Sequence, residues 1–219
     1  MSKLNDFLAG RQILAEVNSP FNGVLTVVKE LAWGTHIMAG GITQSGGIAQ
    51  DIWKTVFRTL AQKNFKSVLI VGLGGGGIAK LVNKNWPAAK ITGIEIDPVI
   101  VELGNTYLGL NKIQVKTLIG DGLSLSEELV AKNKKFDLIC VDTYIGQTFP
   151  KKFESLKFLK IITRLLTKNG IVIFNRLYYK EKVNQALEFK KIIEKIYPHV
   201  EVVKPEANIM FTCYNLSSR

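Results

Sequence analysis

The feature that most constrains this chain is an apolar run, Val68–Val71, that breaks into Gly72-Leu73-Gly74-Gly75-Gly76-Gly77. A helix pattern follows, and then a second apolar run ends in Glu95. Strand, glycine loop, helix and strand make half of a nucleotide-binding α/β unit. Glycine lets the backbone turn sharply and approach a ligand that a Cβ would hold off. A carboxylate about twenty residues after such a loop sits at the tip of the neighbouring strand and can accept hydrogen bonds from both ribose hydroxyls. The ligand class is therefore adenosine-containing. Gly72, Gly74 and Gly77 also satisfy the G-x-G-x-x-G spacing. NAD and S-adenosylmethionine sites share that spacing, and a purely structural glycine turn is the third reading.

From Ser67 onward, strand and helix patterns alternate. Strands are expected at Val68–Val71, Ile91–Ile96, Ile113–Leu118, Phe136–Val141 and Ile171–Phe174, with a final pair at Val200–Lys204 and Asn208–Tyr214. Helices are expected at Ile78–Asn85, Pro98–Leu108, Ser126–Ala131, Phe153–Leu166 and Lys182–Ile196. Lys168-Asn169-Gly170 reads as the stop of the fourth of these. Nearly continuous apolar strands that alternate with helices predict a parallel sheet covered on both faces. The first part reads differently. Short β runs at Ile13–Val17, Val24–Val28 and Thr35–Met38 are separated by turn residues, and Gly40-Gly41 and Gly46-Gly47 bracket an expected loop, Ile42–Ser45. Helical spacing resumes from Ile48 to Gln62. Residues 1–47 are thus expected to form a small β region and residues 48–219 the ligand-binding domain.

No apolar run approaches the roughly 20 residues that a membrane-spanning helix needs. Met1-Ser2-Lys3-Leu4-Asn5-Asp6 lacks the basic-then-apolar layout of a secretory signal. Cys140 and Cys213 fall in apolar strand runs and read as buried reduced thiols, and two histidines without ligand spacing give no zinc signature. The expected compartment is the cytoplasm, and no metal is expected. A formal net charge of +11 invites an anionic partner. Yet the lysines are scattered, and no arginine-rich stripe with interleaved aromatics exists, so nucleic acid is not the expected partner.

In a parallel sheet the ligand lies beyond the carboxyl ends of the strands. The residues there are the glycine loop, Glu95, Asp121, Asp142 and Asn175. Three carboxylates on one rim of a very basic chain call for a reason. Each alone can serve as a helix N-cap, and Asp97, followed by Pro98, fits that role. Glu95 and Asp121 are read as ligand contacts, with Asp121 and the Ile96 region offering an acceptor and an apolar slot to an adenine.

In order and spacing, the segment from Asn18 to Asn175 resembles the spermidine synthase family of aminopropyltransferases, which share the class I methyltransferase fold. Asn18-Ser19-Pro20-Phe21 and the run from Trp33-Gly34-Thr35 to Gly41-Ile42-Thr43-Gln44 resemble its amino-terminal hairpin region. Gly72–Gly77, Gly93-Ile94-Glu95-Ile96-Asp97, Gly120-Asp121-Gly122 and Asp142-Thr143-Tyr144 resemble its glycine loop, ribose-binding strand end, adenine-binding turn and acidic catalytic segment. The resemblance implies a doubly wound, mostly parallel seven-stranded Rossmann-like sheet. It implies a donor that is S-adenosylmethionine or its decarboxylated form, a small-molecule amine acceptor, and a homo-oligomer. Cofactor contacts then fall to Gln44, Gly72, Gly74, Gly75, Gly76, Glu95, Ile96, Asp121, Gly122 and Asp142. Asp142 would also take the proton of the attacking amine, with Tyr144 beside it in the catalytic segment.

The departures bear on the acceptor and on the donor's aminopropyl amine, which the family's glycine-loop Asp grips. Family members that make spermidine carry an Asp in the glycine loop where this chain has Gly75. They carry a second Asp where it has Ile145, and a Tyr-His-Glu stretch where it has Ala49-Gln50-Asp51. Each change removes a group that a polycation would need. The expectation is a spermidine-synthase-like transferase in which ordinary spermidine synthesis is weak. A methyltransferase using the intact donor, or a non-catalytic adenosyl-ligand binder, is the alternative. Trp53, Trp86, His36 and His199 are read as structural or surface residues, and Tyr178-x-x-x-Lys182 as a chance likeness to a dehydrogenase pair.

Overall fold

The computed structural model describes residues 10–215. The amino-terminal hexapeptide discussed above lies outside them. Two sheets organise the chain. The first is antiparallel, in the order β1 (Arg11–Ser19), β2 (Gly23–Glu30), β3 (Gly34–Ala39), β4 (Ile42–Gly46). The expected loop at Ile42–Ser45 is therefore a strand. Gly40 and Gly41, with φ of 55° and 79°, form the two-residue turn that pairs it back onto β3. β4 runs directly into α1 (Gly47–Thr59), which buries Ile52, Trp53, Val56 and Phe57.

The second sheet contains β5 (Ser67–Val71), β6 (Lys90–Glu95), β7 (Val115–Ile119), β8 (Phe136–Val141), β9 (Leu166–Leu177), β10 (His199–Val203) and β11 (Asn208–Tyr214). Its order is β10-β11-β9-β8-β5-β6-β7. All pairings from β9 to β7 are parallel, and β11 alone runs against its two neighbours. The connecting helices are α2 (Gly77–Asn85), α3 (Pro98–Tyr107), α4 (Gly122–Ala131), α5 (Leu156–Leu165) and α6 (Lys182–Ile193). Chain order reverses between β5 and β8, and that switch point is where such sheets open a crevice.

The strands are apolar on both faces because both are covered. Val68 and Ile70 of β5 join one core with α1, α2, α3 and the first sheet, whereas Leu69 and Val71 join another with α4, α5 and α6. A strand's two-residue period puts neighbours on opposite faces, so a covered sheet needs both sets apolar. The first sheet shares the core that α1 shares, through Leu25, Val27 and Ile37. Cys140 and Cys213 are buried and unpaired, and burial pushes both thiols up.

Two element boundaries differ most from the sequence expectation, the start of α4 and the start of β9. α4 begins at Gly122 rather than Ser126 because Asp121 caps it, accepting from the Leu123 and Ser124 N–H groups, both at 3.1 Å. α5 ends at Leu165, and Lys168-Asn169-Gly170 lies inside β9, whose pairing with β8 reaches back to Leu166 opposite Phe136. Ladder pairing there overrides the local stop signal. Among the described residues, no helix is long and apolar enough to cross a membrane.

Candidate active site

The carboxyl ends of β5, β6 and β8 meet at two adjoining cavities, of about 330 Å³ and about 120 Å³. Gly72, Glu95, Asp142 and Tyr144 line both. Gly72 is obligatory for a geometric reason. A Cβ there would lie 2.1 Å from the Asp142 carbonyl oxygen, and its φ of 91° is one that side chains rarely adopt. The bare backbone lets the loop and the end of β8 touch, which brings Asp142 under the loop.

Glu95 is buried, and its carboxylate holds the loop. Oε2 accepts from the Gly74 N–H at 2.7 Å, and Oε1 accepts from the N–H groups of Ile96 at 2.8 Å and Asp97 at 3.0 Å. Desolvation raises its pKa, and these three backbone donors oppose the rise. A carboxylate has about four lone-pair positions, so one remains for a ligand hydroxyl. Asp97 is the cap of α3, as its sequence position suggests, and accepts from the Val99 N–H at 2.9 Å.

Asp142 is half-buried between two donors. The Trp53 indole N–H donates to Oδ2 at 2.7 Å and the Asn175 amide to Oδ1 at 2.9 Å. Burial raises its pKa to about 6, against the pull of both donors. Asn175 in turn accepts from the Asn208 amide at 2.7 Å. This places a carboxyl group that changes charge near neutrality at the junction of the two cavities. Such a group is suited to accept a proton from a reacting amine.

The remaining sequence candidates divide. Gln44, Gly72 and Gly74 line the larger cavity, and Ile96, Asp121 and Gly122 the smaller, with Pro150 and Phe153 as apolar walls. Gly75 and Gly76 line neither. A Cβ on Gly75 would meet Ile37 and Leu108 methyls at 2.8 Å, and one on Gly76 would meet Leu110 at 2.5 Å. Both are packing glycines, and Gly75 lies so close to α3 that a Cβ on Gly104 would fall 2.6 Å from its Cα. Asp121 does what the sequence reading set aside: it caps a helix, and its other oxygen pairs with Lys152. Partial desolvation works against ionisation of Asp121, but the Lys152 ammonium and the Ser124 N–H outweigh it and lower its pKa. The Tyr144 hydroxyl accepts from the Leu177 N–H at 2.7 Å, its ring packs edge-on against Phe149, and burial pushes its pKa well up.

Three residues of the site had no marker in the sequence. Trp53 reaches Asp142 across 89 positions, Asn208 joins through Asn175, and Glu206 lines the larger cavity from the turn before β11. Only the shared strand-end location of Asn175 was legible. Among the described residues no group of three or more His, Cys, Asp or Glu side chains is placed to hold a metal ion.

A doubly wound sheet with a reversed β11, a glycine loop and an acidic strand-end rim defines a class I methyltransferase-type transferase. The model of the spermine/spermidine synthase domain matches residues 55–215, and the chain belongs to that family. It is 25% identical over 201 residues to a spermine synthase of Saccharomyces cerevisiae, covering 86% of this chain and 67% of the yeast protein. It is also 30% identical over 151 residues to an eEF1A lysine and N-terminal methyltransferase homolog of Drosophila melanogaster. That match covers 66% of this chain, which spans only 22% of the fly protein's length. A solved structure of human methyltransferase-like protein 13 in complex with SAH superposes with a TM-score of 0.62 at 25% identity, covering 78% of this chain and 80% of that one. The relatives are transferases of two kinds, one transferring aminopropyl groups and the other methyl groups.

Proposed function

We propose that this protein is a cytoplasmic transferase of the aminopropyltransferase type that brings an S-adenosyl donor, decarboxylated or intact, to a small-molecule amine. One observation carries the reading. Among the described residues, the larger cavity is lined by Glu95, Asp142 and Glu206 and by no lysine, arginine or histidine, in a chain of net charge +11. Such a lining favours cations, and both a sulfonium donor and an amine acceptor are cationic.

The residues fit the donor. The free acceptor position of Glu95 suits a ribose hydroxyl, and the apolar walls of the smaller cavity, with Asp121 at its edge, suit an adenine. When bound, the donor supplies an activated carbon next to a positive sulfur. Asp142 lies where the adenosine cavity meets the larger one and holds the attacking amine by its N–H groups. As nitrogen bonds to that carbon, the C–S pair returns to sulfur and the displaced proton passes to the carboxylate. Trp53 and Asn175 fix the direction of Asp142 so that its remaining lone pairs face the reactants. Tyr144, on the shared wall, contributes its ring to the partition between the two cavities.

A second reading, methyl transfer from intact S-adenosylmethionine, is favoured by one feature. The glycine loop offers no carboxylate to an aminopropyl ammonium, because Gly75 packs against Ile37 and Leu108. Calorimetric titration with S-adenosylmethionine, its decarboxylated form and methylthioadenosine separates the readings. The aminopropyl reading expects the decarboxylated form to bind more tightly than the intact one; the reverse order supports methyl transfer. Tight NADH binding with no adenosyl-sulfur ligand bound would refute both.

The same proposal includes self-association. Ile13 and Val24 of the first sheet and Leu31 and Trp33 of its β2–β3 turn are between 47% and 94% exposed, apolar surface of the kind that joins subunits. A monomer by light scattering at micromolar concentration would contradict it.

A further inference from the structure

Gly75 and Ile145 bring no acid to the site. The structure brings another carboxylate to the same cavity. Glu206 stands in the turn between β10 and β11 and lines the larger cavity. It is one of three non-glycine residues in the left-handed region among those described, with φ of 49°. It is exposed and forms no hydrogen bond or ion pair with the described residues. The turn itself is anchored, since the Tyr178 N–H donates to the Ala207 carbonyl at 2.7 Å.

A second observation, independent of charge, points the same way. Asn208 is 5% exposed and lines the cavity two residues after Glu206. Its orientation follows from a chain of necessity. Ionised Asp142 only accepts, so Asn175 must turn its amide nitrogen toward it. The Asn175 oxygen then accepts, so Asn208 must present its nitrogen. The Asn208 carbonyl oxygen is left over, and it accepts no hydrogen bond from the described residues. A nearly buried amide acceptor beside an unpaired carboxylate calls for a ligand group that is a hydrogen-bond donor and positively charged.

Resting on the aminopropyltransferase-type reading above, we infer that Glu206, with the Asn208 carbonyl, is the specificity-determining anchor for the distal ammonium of the acceptor. Asp142 holds the reacting end of the acceptor, and the β10–β11 turn holds the other. The anchor thus lies in the carboxyl-terminal hairpin. It selects acceptors with a second cation over monoamines.

The test is calorimetric. 1,4-Diaminobutane and butylamine are each titrated into the full chain and its Glu206→Gln and Glu206→Asp variants, with and without saturating methylthioadenosine. Glu206→Gln is expected to weaken diamine binding about fivefold, the upper range for an exposed ion pair, and to leave butylamine unchanged. Glu206→Asp should recover part of the loss, and added salt should shrink the difference. Equal weakening of both amines, an unchanged diamine affinity, or no diamine binding by the parent chain would overturn the assignment. Failure of methylthioadenosine to bind would count against the adenosyl-donor reading alone, since the diamine comparison in the ligand-free protein still decides the role of Glu206.

Discussion

The indole N–H of Trp53 and the carboxylate of Asp142, 89 positions apart in the chain, meet at 2.7 Å beneath the glycine loop. That bond ties α1 to the end of β8 and sets how readily Asp142 ionises. Trp53→Phe keeps an aromatic ring but removes the donor that favours the charged form. The Asp142 pKa should therefore rise above about 6, and the acid limb of the pH–rate profile should move to higher pH with it. A hydrogen bond to a charged group contributes about 1.5–3 kcal/mol, so a shift of about one unit or more is expected. An unchanged limb would show that Asp142 is not the group titrating in catalysis.

The pH dependence of stability carries an unusual sign for an aspartate. Burial holds the folded pKa of Asp142 near 6, above its unfolded value, so between roughly pH 4 and 6 the native state binds a proton that the unfolded chain does not. Stability from this group is present in full below that window, is lost as pH rises through it, and is level above. The loss is on the order of 3 kcal/mol, and the raised Glu95 adds in the same direction. Urea unfolding at pH 4.5 and pH 7 should show a shallower decline in Asp142→Asn than in the parent, while transferase activity falls by about 100-fold or more. Identical declines in the two proteins would contradict the assignment of the burial penalty to Asp142.

Glu95 serves the loop and the ligand together. Glu95→Gln retains one acceptor oxygen but opposes an N–H group with another donor. Methylthioadenosine binding should weaken by about 1.5–3 kcal/mol, read by calorimetry, and the thermal midpoint should fall. Retained affinity with a lowered midpoint would confine Glu95 to holding the Gly74, Ile96 and Asp97 N–H groups.

Ser19 and Asn22 fasten the first sheet to the α/β unit. The Ser19 hydroxyl donates to Asp97 Oδ2 at 2.5 Å and the Asn22 amide to the same oxygen at 2.6 Å, and Asn22 also lines the larger cavity. Ser19→Ala leaves a fully buried carboxylate with one donor fewer and should cost about 1.5–3 kcal/mol in urea unfolding. It should also weaken ligand binding by letting the Asn22 turn drift from the cavity wall. A change under about 0.5 kcal/mol would show that the turn docks through apolar contacts instead.

Restoring the family acids should not restore spermidine synthesis in a simple way. The space in which a Gly75→Asp side chain would start is occupied by Ile37 and Leu108 methyls at 2.8 Å, so this variant should lose stability by about 1–3 kcal/mol without gaining activity. Ile145 is 38% exposed at the edge of the smaller cavity, and Ile145→Asp should fold normally. A coupled assay with putrescine and decarboxylated S-adenosylmethionine decides. Turnover by the parent chain near one per second, within the usual enzyme range of about 1–1000 per second, would show that these substitutions did not impair the amine site.

What the sequence by itself determined was local and periodic. Nearly continuous apolar runs alternating with helix patterns fixed the covered parallel sheet, the glycine loop and Glu95 marked the edge where the cavities lie, and Asp97-Pro98 fixed the start of α3, because each of these is written in contiguous residues. Even the position of Asp142 beyond β8 followed from strand length alone. The tertiary structure decided matters that depend on where distant segments meet. It made Ile42–Ser45 a strand because β3 was there to pair with it, and it carried β9 back through the Lys168–Gly170 stop signal because β8 offered a partner. It turned Gly75 away from the cavity, paired Asp121 with Lys152, and set Trp53, Asn175 and Asn208 in a line on Asp142. A hydrogen bond or a steric contact acts over a few ångströms of space. Contacts of that range between residues far apart in the chain leave no periodicity in the sequence, and only the folded chain brings them together.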